Sequence, residues 1–92
     1  MAMDHHLQRG GIHFYNSPEA LKRIAILKTN RTTIHGIDSF KLTTSQTQPI
    51  LEHSIDYGYS TNNWNHAAAF IESKTDLELM FEIISAESDS TN

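Results

Sequence analysis

Six histidines are many for 92 residues, and the stretch Ser-Ile-Asp-Tyr-Gly-Tyr-Ser-Thr-Asn-Asn-Trp-Asn-His (54–66) gathers more polar and aromatic chemistry around the last of them. Imidazoles ligate metals or move protons near neutral pH. A local zinc site needs donors at set spacings, such as two His on one helical face with Glu between them. His5, His6, His13, His35, His53 and His66 offer no such pair except the adjacent His5-His6. A metal, or a small His-dependent enzyme, would instead draw on His35, His53 and Asp56, which the expected strands bring near one another. Against this stands a plain role for His53 as a half-buried strand residue. No metal or cofactor is expected.

Catalysis needs a base within about 3 Å of its partner and a third group to orient it. His53 and Ser54 are consecutive on an expected strand, so they point to opposite faces. There is no Gly-x-Ser-x-Gly, no His-Glu-x-x-His and no phosphate-cradling glycine loop. The catalytic reading is therefore an alternative, and the leading expectation is not an enzyme.

Partner binding fits the residue types better. Interfaces favour Trp, Tyr, Phe, Met and Arg. Tyr57, Tyr59 and Trp64, with Asn65 and His66 beside them, form a candidate contact patch backed by Met80 and Phe81. Glu72, Glu78 and Glu82 would add an acidic steering surface. The competing use of Trp64 is to anchor its helix on the sheet. The expectation is a non-enzymatic protein-binding module or inhibitor, of the phage, immunity or regulatory kind, that recognises another protein.

Charge supports that order. The net charge is −4, but residues 1–46 carry +3 and residues 47–92 carry −7. An acidic chain is a poor match to a phosphate backbone, so nucleic acid is not an expected partner, and Lys22, Arg23, Lys28 and Arg31 read as a solvated helix face. The two halves can also pair within one fold or between two copies, as in a homodimer. Cysteine is absent, which removes disulfides and thiolate sites and suits a reducing compartment. No apolar run approaches the roughly 18 residues of a membrane span. A soluble, cytoplasmic protein without a membrane partner is expected.

The elements that must position these residues read as a small α+β domain spanning 1–92, with flexible ends over 1–10 and 86–92. Ile12–Tyr15 is rich in β formers. Ser17-Pro18-Glu19 opens a helix through Lys28, with Ser17 as the expected cap. Phe40 and Leu42 alternate with polar residues as in a half-buried strand, with a bulge or turn at 35–38. Leu51 to Tyr59 alternates as a second strand, facing Leu51, His53, Ile55, Tyr57 and Tyr59 inward. A helix follows from Trp64 to about Ser73. Thr75-Asp76-Leu77-Glu78 matches a capping box, which predicts a last helix with Leu77, Met80, Phe81 and Ile84 on one side. The expected order is β-α-β-β-α-α, an antiparallel sheet with its helices on one face.

Overall fold

The computed structural model describes residues 6–58 and 63–86. Among these it contains β1 (His6–Arg9), β2 (Ile12–Tyr15), α1 (Ser17–Thr29), β3 (Ile34–Leu42), β4 (Thr47–Pro49), β5 (Ile55–Asp56), α2 (Trp64–Ser73) and β6 (Met80–Ser85). The α+β class stands. The order differs from β-α-β-β-α-α: six strands and two helices form around an antiparallel sheet ordered β1-β2-β6-β3-β4, with β5 also on β3.

The N-terminal hairpin lies partly in the expected lead-in. Gly10 and Gly11 both take positive φ (55° and 84°), the backbone a two-residue hairpin turn requires. β1 and β2 pair from His6↔Tyr15 to Arg9↔Ile12. In α1 the cap is Asn16 rather than Ser17: Asn16 Oδ1 accepts from the Glu19 N–H at 3.0 Å, and Ser17 is buried. Pro18 sits in the first turn, where a missing N–H costs nothing.

Two expectations fail at the level of elements. The long strand over 51–59 is a 3₁₀ turn at Leu51–His53 followed by the two-residue β5. Serine side chains capture the backbone there. Ser54 Oγ donates to Ile50 O and accepts from the Ser39 N–H, both at 3.0 Å, and Ser39 Oγ donates to His53 O. The last helix is instead a short 3₁₀ turn at Thr75–Leu77, a left-handed Glu78 (φ 55°) and then β6. The capping box does not form; Thr75 Oγ1 faces Ile71 O at 3.4 Å. Leu79 to Ile84 is apolar except for Glu82, and such a short segment fits a helix or a largely buried strand equally well.

Central placement explains why the strand wins. β6 lies between β2 and β3. Its pairs Ser39↔Phe81 and Ile37↔Ile83 face the helices, where Ala20, Ile24, Leu27, Ala67 and Ile71 complete one core. Its alternate pairs, Asp38↔Glu82 and Phe40↔Met80, face the other way. There Phe14, Leu42 and Met80 form a second core with Leu7 and Phe40 against them. The Phe14 and Phe40 rings meet edge to face at 4.9 Å although β6 separates their strands, so the sheet is strongly curled. Arg9 fastens the curl. Its guanidinium donates to Gln46 O and Thr47 Oγ1, each at 2.9 Å, and to Thr43 O, linking edge strand β1 to the β3–β4 hairpin.

β3 runs unbroken over nine residues with a register shift between Ile34 and Gly36, so the bulge is present and the alternative turn is not. Gly36 pairs with Asp56, and a Cβ there would meet Ile55 O at 2.9 Å. Gly36→Ala should therefore push β5 off the sheet and destabilise the fold by about 1–3 kcal/mol. Urea unfolding measures this, and an unchanged midpoint would show that β5 moves aside without cost.

Candidate functional site

The described residues of the 54–66 stretch are used mainly to join elements. Trp64 is half-buried, and its Nε1–H donates to Thr32 O at 2.8 Å, tying α2 to the loop after α1. Asn63 is buried and donates through Nδ2 to Ile34 O at 2.9 Å. Asn65 Oδ1 accepts from Lys28 Nζ at 2.9 Å, a link between the helices. Tyr57 O–H meets His66 Nδ1 at 2.7 Å, with the rings edge to face at 5.3 Å. Burial raises the Tyr57 phenol above its ordinary range. Tyr59 lies outside the described residues. Glu72 is exposed at the end of α2, Glu78 is exposed in the turn before β6, and Glu82 is half-buried on β6. The expected contact residues are thus spread over α2, a turn and the sheet.

Glu82 belongs to a different group. It stands directly across from Asp38, on the sheet face away from the helices. Burial and then the Asp56 charge raise the Asp38 carboxyl above its ordinary range. Burial and then the Asp38 charge raise Glu82. Like charges directly across a strand pair destabilise it.

A cleft of about 370 Å³ opens on the other side of β3. Lys41 and Gln48, a cross-strand pair, form one wall; Ile50, Glu52 and His53 form the next; Leu77 and Leu79 close it. The serine network described above fixes the 50–54 wall. His53 Nε2 lies 3.7 Å from Glu52 Oε2, and Nδ1 is buried with no hydrogen-bond partner among the described residues. Leu51 is 81 % exposed beside this wall, and Leu77 is 43 % exposed on its ridge. A second cleft of about 290 Å³ lies across the same ridge, between Thr75, Glu78 and Leu79 and the start of α1. The 75–79 ridge therefore stands between two hollows, with a leucine at its crest and Asp76 and Glu78 exposed on either side of it.

Sequence patterning did not find this surface. Leu51 was expected on the inner face of a strand and Leu77 on the buried stripe of a helix. The available signal was Pro49, which shortens any strand running into Leu51. The metal candidates also separate: Asp56 pairs with Gly36 next to His35, while His53 lies in the cleft. No group of three or more His, Asp or Glu among the described residues is placed to hold a metal ion.

No protein-family model matches the chain, and no curated protein or solved structure is significantly similar to it.

The carboxylate pair has a pH signature. A carboxyl raised in the folded state penalises its ionised form; the penalty is absent when folded and unfolded states are both protonated and complete above the raised value. Asp38→Asn should therefore be more stable than the parent at neutral pH. The gain should vanish below about pH 4, where ordinary carboxylates protonate. Thermal midpoints of both proteins across that range check the sign; a gain that persists in acid would remove repulsion as the cause.

Proposed function

We propose that this protein is a non-enzymatic binding module for another protein, working in the cytoplasm. The observation that carries this reading is the pair of exposed leucines, Leu51 and Leu77, beside a cleft floored by the buried Leu79. Exposed apolar side chains rimmed by charge are a feature of interaction sites. Glu52 lines the cleft opposite Lys41, and exposed Asp76 and Glu78 flank Leu77 in the chain. Of the contact residues expected from sequence, Glu78 is exposed next to Leu77 in the chain. Trp64, Asn65, His66 and Tyr57 support it indirectly by fixing α2, from which the ridge descends. The absence of cysteine suits a reducing compartment.

A photo-crosslinking side chain at Leu77, introduced in the native host, tests the reading. It should capture a distinct protein, identified by mass spectrometry. The same group at exposed Ala69 on α2 should not capture that protein, and Leu51→Ser should reduce capture from position 77. Equal capture from both positions, or none from Leu77, would remove this surface as the binding site.

A further inference from the structure

We propose that the cleft between Lys41 and Glu52 binds a free aliphatic α-amino acid, a small zwitterion with an apolar side chain. The cleft holds about 370 Å³, the lower end of the range for small-ligand sites, which runs from about 300 to 1,000 Å³. That admits a molecule of amino-acid size and leaves little room for a nucleotide or a larger cofactor. The lining is of two kinds. Ile50, Leu77 and Leu79 give an apolar surface, with Leu79 buried and Leu77 exposed. Lys41 and Gln48 form one polar wall; Glu52 lies opposite, with His53 next to it in the chain. Among the described residues Lys41 has no ion pair, and the charge partner of Glu52 is the His53 ring at 3.7 Å. A cation and a carboxylate thus line one cleft without neutralising each other.

Opposite charges on one small molecule answer both walls. The ligand carboxylate accepts from Lys41 Nζ and the Gln48 amide, and its ammonium donates to Glu52. Its side chain lies on Leu77 and Leu79 and covers apolar surface that otherwise faces water. A plain carboxylic acid leaves Glu52 unused, and a plain amine leaves Lys41 unused. His53 adds an independent observation. Its Nδ1 is the one buried side-chain nitrogen or oxygen among the described residues with no hydrogen-bond partner. A buried polar atom left in this way is uncommon and costs stability. With the ring proton on Nε2, beside Glu52, Nδ1 is an acceptor, and a ligand ammonium brings donors to this wall. Both walls are held before any ligand arrives. Lys41 and Gln48 are paired across β3 and β4, and the Ser39 and Ser54 side chains pin residues 50–54. Preformed walls reduce the ordering that binding requires. The site needs no protein partner, so it goes beyond the binding-module reading while sharing Leu77 with it.

Nuclear magnetic resonance of the full chain, titrated with L-leucine over the micromolar-to-millimolar range, tests the proposal. The methyl signals of Ile50, Leu77 and Leu79 and the side-chain amide of Gln48 should shift along one saturating curve. Exposed Ile26, on α1, should not move. Two probes divide the ligand: 4-methylpentanoate lacks the ammonium and 3-methylbutylamine lacks the carboxylate. Each should bind at least about tenfold more weakly than leucine, equivalent to about 1.4 kcal/mol. Lys41→Gln should weaken leucine and the acid but leave the amine unchanged. Glu52→Gln should weaken leucine and the amine but leave the acid unchanged. Thermal midpoints verify that both variants fold. Absence of a saturating shift with leucine would overturn the site. So would an acid or an amine that binds as tightly as leucine, or variants that bind all three probes as the parent does. Capture of a host protein from Leu77 is measured separately, so either reading can fail while the other stands.

Discussion

The fold depends on one strand that contributes to a core on each of its faces. β6 is last in the chain order of strands yet central in the sheet, with β2 on one side and β3 on the other. Phe81 and Ile83 supply the helix-side core, and Met80 supplies the concave one. Full burial of such side chains contributes about 1.5–3 kcal/mol each relative to exposure. No other described strand contributes to both cores as heavily, apart from β3, which supplies Ile34, Ile37 and Leu42. The two neighbouring strands divide the two cores between them.

The curl and the ridge follow from that placement. Burying Met80 requires a cover on the concave side, and the β1–β2 hairpin supplies it through Leu7 and Phe14, with Arg9 fastening the edges. Beyond that core the same face carries Asp38 and Glu82, where neither water nor packing fully relieves their charge. Descent from α2 into a central strand requires a sharp reversal. Glu78 makes it in the left-handed region, which costs a non-glycine residue about 1–2 kcal/mol. The reversal buries Leu79 and leaves Leu77 outside. The exposed leucine is thus a geometric by-product of how the last strand enters the sheet.

Local chemistry was legible and sheet membership was not. Pro18 and Glu19 marked α1, and the alanine-rich segment after Asn63 was helical, because each of those signals acts within a few residues, whereas the β1–β2 hairpin around Gly10-Gly11 was not foreseen. β6 was misread because Met80, Phe81 and Ile84 satisfy helical spacing and a doubly buried strand alike. The 51–59 strand failed because Ser39, distant in sequence, donates through its N–H to Ser54 Oγ and through its hydroxyl to His53 O. The candidate site was missed for a related reason. Alternation and periodicity identify leucines that can be buried, but only the packed fold reveals that Leu51 and Leu77 are left over.

The strand order also has a consequence for synthesis. A ribosome releases the chain from its N-terminus, so the other described helices and strands emerge before Met80–Ser85. Until then the hairpin has no neighbour to join it to β3, and Ile37, Phe40 and Phe14 lack the strand that covers them. Both cores are therefore closed only when this strand inserts between β2 and β3.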